Sequence, residues 1–144
     1  DFLYEVTNLV RDADGVAAQY ADAFGLHPTA FVPIKSSAYG YGGSLTLFSA
    51  DRLHRFEVIT AHDSEKTMGR YFGKFGESLY MCFAESAQLG AVAERCREAG
   101  APITAVEDHT LFLHPGALGG VMLGLSKPTY AWTWSGHPER VERT

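Results

Sequence analysis

The sequence predicts an α+β fold in which two tandem βαβββ modules form a curved mixed sheet around a central cleft. Three observations lead to it. A strand, a helix and three further strands occur twice in the same order. Both helices end on a glycine, Gly25 and Gly100, 75 positions apart. The chain has 144 residues, 46% of them hydrophobic, which is enough to close one core.

Positions 3–10 form a short apolar segment suited to a strand. Asp12 can cap the helix that follows, in which Val16, Tyr20 and Phe24 recur every four residues on one face. Gly25 supplies the left-handed residue that ends a helix without a Cβ clash. A second strand is expected over 28–34, then a mobile-looking connection over 35–43 in which Tyr39 and Tyr41 stand among glycines, as a lid or pocket rim or as a surface hairpin. Strands over 44–48 and 54–60 follow, joined by a turn at 49–52. The order then returns, with a strand over 79–84 and a helix over 87–99 whose inner side carries Leu89, Val92, Ala93 and Cys96. Strands over 102–106, 110–113 and 120–125 complete it. The modules therefore span about 3–60 and 78–126 of a single domain covering 1–144. A connecting helix lies over 64–76, with Met68, Tyr71, Phe72 and Phe75 at helical spacing, and an aromatic tail occupies 127–144. A helix on one face of each small sheet leaves the other face to line the cleft, a natural place for a small organic ligand.

Seventeen acidic and 12 basic residues give a net charge of −5, with no Lys/Arg cluster to follow a phosphate backbone, so nucleic acid is not expected as a partner. No apolar run approaches the roughly 18 residues that span a bilayer, so no membrane partner is expected either. No signal-like segment is read at the start. Cys82 and Cys96 make neither a disulfide framework nor a metal knuckle, and two thiols suit the cytoplasm.

Positions 6–12 (VTNLVRD), 97–100 (REAG) and 114–121 (HPGALGGV) stand before the first helix, at the end of the second-module helix and before the last strand. Together they resemble the vicinal oxygen chelate superfamily, the last of them its epimerase-like members. That superfamily includes glyoxalases, methylmalonyl-CoA epimerases, extradiol dioxygenases and antibiotic-binding resistance proteins. The resemblance implies a divalent metal held by one residue from each of four strands, at positions that fall here on Glu5, Glu57, Tyr80 and Gly124. Glycine has no side chain to donate, and neutral tyrosine is a poor ligand. No resident metal is therefore expected, with a reduced divalent site through Glu5 and Glu57 as the alternative.

Without a metal, two acids facing a cleft repel, and one holds a proton and serves as general acid and base. The expected catalytic residues are Glu5, Glu57 and Tyr80, with Tyr80 donating a hydrogen bond to negative charge developing on oxygen. The expected chemistry is an isomerase or lyase reaction beside a carbonyl. The alternative is sequestration of an aromatic or apolar compound, as in bleomycin-resistance proteins. Tyr39, Tyr41, Arg55, Met122 and Trp132 are the expected ligand contacts. In an extended tail Tyr130, Trp132 and Trp134 alternate onto one face, where they can cover the cleft, pack on the sheet or form a homodimer contact, an assembly the resemblance also implies. Six histidines form no zinc motif. His54 should face away from Glu57, His62 reaches the cleft rim, and His109 and His114 flank a strand, with His114 the better suited to a local structural role.

Overall fold

The computed structural model describes residues 2–27, 31–49 and 51–142. The first module comprises β1 (Leu3–Leu9), α1 (Ala13–Phe24), β2 (Phe31–Ser36), β3 (Tyr41–Ser49) and β4 (Arg52–Ala61). Next comes α2 (Thr67–Phe75), and then β5 (Ser78–Glu85), α3 (Leu89–Glu98), β6 (Ile103–Val106), β7 (Thr110–Leu113) and β8 (Met122–Ser126). The predicted βαβββ order is thus present twice. The chain divides into two compact units, one of residues 6–80 and one of residues 81–144 with the first five residues.

In the unit of residues 6–80, α1 starts where the Asp12 carboxylate accepts a hydrogen bond from the Gly15 N–H at 2.9 Å. It stops at Gly25, whose φ of 63° is left-handed. Val10, Ala13 and Val58 form a buried cluster against which Val16 and Tyr20 pack, so α1 lies on the face of β4 that carries Val58. Tyr20 and Phe24 extend this contact to Phe56 and Phe48, with Tyr20 stacked on Phe56 at 4.9 Å. β2, β3 and β4 pair antiparallel, with Leu45 opposite Glu57 and Gly43 opposite Ile59.

Of the two forms open to the 35–43 connection, it takes the hairpin. β2 continues to Ser36 and β3 opens at Tyr41, while the Gly40 N–H bonds the Ser36 carbonyl at 2.9 Å and Gly40 takes a φ of 75°. Glycine periodicity suggested slackness, but here it lets the chain reverse and two strands approach. Positions 28–30 of the predicted second strand and position 50 of the predicted turn lie outside the described residues.

In the other unit β5 and β8 run parallel, while β8, β7 and β6 pair antiparallel, which makes this sheet mixed. α3 covers one face of it through Ala93, packed with Leu111, Leu125, Leu113 and Leu123. Gly100, with φ of 67°, follows the helix end as predicted. β8 starts two residues later than expected, because Gly119 and Gly120 turn the chain at positive φ. The tail is not extended. Tyr130–Trp134 is a 3-10 helix, in which Trp132 is buried under the Arg140 guanidinium at 4.8 Å while Tyr130 and Trp134 meet edge to face. Tyr130 also stacks on His109 at 4.1 Å, a contact that a flat strand would not make.

Gly43 shows how closely β3 and β4 are set. A Cβ on it would lie 2.0 Å from the Val58 carbonyl oxygen, a backbone atom that cannot swing away. Gly43→Ala should therefore lower unfolding free energy by about 2 kcal/mol or more. Gly73→Ala, in α2 with open space around it, should raise it by about 0.5–1 kcal/mol. Denaturant titration of the two variants reads both signs, and equal behaviour would refute the close-approach account.

Candidate functional site

Strand alternation decides which side chains β4 offers to chemistry. Phe56 and Val58 point to α1, so Leu53, Arg55, Glu57 and Ile59 leave the opposite face. Antiparallel pairing adds Leu45, Gly43 and Tyr41 to that face, and β2 adds Val32 and Ile34. Glu57 is 7% exposed and Arg55 4% exposed, with Leu45 and Ile59 buried beside them. A buried acid and a buried guanidinium, two residues apart on one strand, thus share a mostly apolar face. Buried charges need such opposite-sign or hydrogen-bonding company, because isolated burial is costly.

The other predicted residues fall as follows. Tyr39 lies in the hairpin turn, which its carbonyl ties to α2 by accepting the Met68 N–H at 3.2 Å. Tyr80, 1% exposed, meets Tyr71 of α2 edge to face at 4.4 Å. Burial pushes the Tyr80 phenol up to about 12, helped by the neighbouring Tyr71 and Tyr39, so it is a proton donor throughout the physiological range. Glu5 is buried in the part of β1 that belongs with residues 81–144. Met122 pairs with Met81 across the parallel β5–β8 ladder. Trp132 is held by its own tail. His54 is exposed, whereas His62 lies against Gly42, on the face shared with α1 rather than with Glu57. His109 and His114 are hydrogen-bonded to Thr110 and Thr104, each at 2.8 Å, so both have local structural partners. Burial raises the Cys82 thiol, which makes it a weak nucleophile.

Two residues that sequence inspection passed over stand beside Gly124. In the β5–β8 register Phe83 lies next to Gly124, and Phe112 of β7 flanks it on the other side. A Cβ on Gly124 would come within 2.1 Å of the Phe83 ring, so that ring roofs the glycine. Phe112 meets Phe83 edge to face at 5.7 Å, and Tyr4 stacks on Phe83 at 6.1 Å while its hydroxyl bonds Ser126 at 3.0 Å. β5 also alternates, so Phe83 and Tyr80, three residues apart, leave opposite faces of the strand. The only advance signal was the glycine itself, an interior strand position left without a side chain. The four-strand metal does not fit this donor set: Gly124 contributes no atom, its side-chain space holds a phenyl ring, and the Tyr80 phenol keeps its proton. Among the described residues, no three His, Cys, Asp or Glu side chains are grouped to hold an ion.

A groove of about 500 Å³ lies between α1 and the strands, lined by Ala17, Ala21, Phe31, Pro33 and Ser44. It opens on the α1 side of the sheet, away from Glu57, and carries none of the predicted site residues.

The raised Tyr80 phenol gives a testable pH dependence. The folded chain holds this proton more tightly than the unfolded chain, whose reference value is 10.0, so the stabilisation is complete below pH 10 and is lost as pH rises to about 12. Ultraviolet titration should find one tyrosine ionising near 12, and Tyr80→Phe should remove it and flatten stability over that interval. Loss of a different transition in Tyr80→Phe would contradict the assignment.

No protein-family model matches the chain, and no curated protein does. Solved structures do. Methylmalonyl-CoA epimerase from Mycobacterium tuberculosis is 20% identical with a TM-score of 0.69, covering 88% of this chain and 87% of its own. The Streptomyces coelicolor methylmalonyl-CoA epimerase, in complex with 2-nitronate-propionyl-CoA, is 17% identical with a TM-score of 0.73 over 90% and 95% of the two chains. A hypothetical protein from Bacillus halodurans C-125 gives 14%, 0.69, and 88% and 93%. At these identities the likeness is one of fold. The chain shares its fold, the vicinal oxygen chelate fold, with these methylmalonyl-CoA epimerases.

Proposed function

We propose that the protein is a small-molecule enzyme of isomerase type, which moves a proton at the carbon beside a carbonyl with Glu57 as proton carrier. The observation that carries this reading is the placing of Glu57 with Arg55 on the apolar face of β4, opposite α1. A carboxylate there accepts a carbon-bound proton and returns it while neighbouring apolar side chains keep water away. Arg55 supplies fixed N–H donors for the negative charge that develops on the carbonyl oxygen. Tyr80, a neutral phenol up to about 12, supports the same reading as a hydrogen-bond donor. The fold likeness to proteins that bind acyl-CoA thioesters makes a 2-methyl acyl thioester the first substrate class to try, methylmalonyl-CoA among them.

A second reading, sequestration of an aromatic or apolar compound, is favoured by the Phe83, Phe112 and Gly124 arrangement. Exchange of the substrate α-proton with deuterated water separates the two. Under the isomerase reading the native chain exchanges it catalytically, and Glu57→Gln slows exchange by about 100-fold or more with the fold intact by circular dichroism. Exchange that is undiminished in Glu57→Gln, or absent in the native chain across such thioesters, would reject the reading.

A further inference from the structure

We infer that the groove between α1 and β2 is a binding site for a small organic cation, a primary ammonium carried on an apolar body. The site lies within the unit of residues 6–80, on the face of the strands opposite Glu57, and is independent of proton transfer there.

The groove exists because α1 does not cover β2. The helix docks on β4 through Val16 and Tyr20, and its flank toward β2 carries Ala17, Ala18 and Ala21. Side chains that stop at Cβ do not bridge from the helix to the outer strand. Antiparallel register places Phe31 and Pro33 of β2 on the α1 face with Thr46 and Ser44 of β3, which pair in turn with Phe56 and Val58. About 500 Å³ is left open there, the size of a small-ligand site. The edge of β2 does not invite an added strand, since Pro33 has no N–H to donate and Lys35 carries a charge. A compact molecule on the face of the strand suits the space better.

Charge decides which molecule. Two polar side chains line the groove, the Asp14 carboxylate and the Ser44 hydroxyl, and neither has a partner among the described residues. An anion would need donors, but N–H groups at the start of α1 are already engaged. The Asp12 carboxylate takes the Gly15 N–H at 2.9 Å, the Thr60 hydroxyl takes the Ala13 N–H at 3.0 Å, and the Asp12 carbonyl takes the Val16 N–H at 3.0 Å. Lys35 and His62, the basic residues that follow on this face, stand outside the lining. The groove therefore presents a negative end, whose complement is a cation. With a rise of about 1.5 Å per residue, Asp14 and Ala21 lie about 10 Å apart along α1. An ammonium joined by a short chain to a phenyl ring has that reach. Its charge would meet Asp14 and Ser44, and its ring would meet Ala21 and the half-buried Phe31.

The test uses the full chain and two probes of one shape, 2-phenylethylamine and 2-phenylethanol, titrated at neutral pH by NMR of the protein amides. The amine should bind about 3–5-fold more tightly, as an exposed ion pair allows, with the largest shifts at Ala18, Ala21 and Ser44. Asp14→Asn keeps the shape and removes the charge, and should bring the ratio to about one. Ala18→Leu, at an exposed helix position, should fill the groove and weaken both probes by about 5-fold or more. Failure of the amine to bind, equal affinities in the native chain, a ratio that survives Asp14→Asn, or binding unchanged in Ala18→Leu would each overturn the inference. So would a second copy of the chain seated in the groove, seen as dimers that exclude both probes and that Ala18→Leu dissociates.

Discussion

The two-residue alternation of β4 is the constraint on which the candidate site depends. Once α1 is docked on Phe56 and Val58, the residues that alternate with them have one remaining direction. Arg55 and Glu57 must then leave the face that α1 does not cover, together with Leu45 and Ile59. Helix docking is driven by apolar burial, so the same force that forms the core also selects which charged groups stand over the other face. A one-residue slip of β4 would exchange the two sets and bury Glu57 under a helix.

The second module obeys the same rule with different side chains. α3 takes Leu111, Leu113, Leu123 and Leu125, and the opposite face is left with Phe83, Phe112 and Gly124. Where the first module keeps a carboxylate on its fourth strand, the second keeps a glycine and fills the space from the adjacent strand. The two modules share an architecture but not a chemistry. Duplicated backbones tolerate this because the strand ladders are held by main-chain groups, which do not specify what each side chain carries.

Much of the fold was legible in local sequence. Asp12, Gly25 and Gly100 mark helix boundaries because capping and left-handed conformations are properties of single residues and their nearest neighbours. The placing of His54 away from Glu57 followed from strand alternation alone. The conformation of the tail was not legible, because alternating Tyr130, Trp132 and Trp134 satisfy a strand pattern as well as a 3-10 turn. The choice was made by partners outside the segment, His109 for Tyr130 and Arg140 for Trp132. The 35–43 segment stayed open between a lid and a surface hairpin because glycine permits both looseness and tight reversal, and the pairing of β2 with β3 selects the second.

The sequence by itself determined the βαβββ order, the helix ends and the identity of Glu57 as an acid in the middle of a strand. These depend on propensity and periodicity over a few residues, which the linear chain carries in full. Tertiary structure decided that Gly124 lies under Phe83, that Tyr80 packs on Tyr71 and keeps its proton, and that Trp132 is enclosed by its own tail. Each of those facts is a relation between side chains of different elements, fixed by strand register and packing. No residue type announces such a neighbour, and only the folded chain brings the two together.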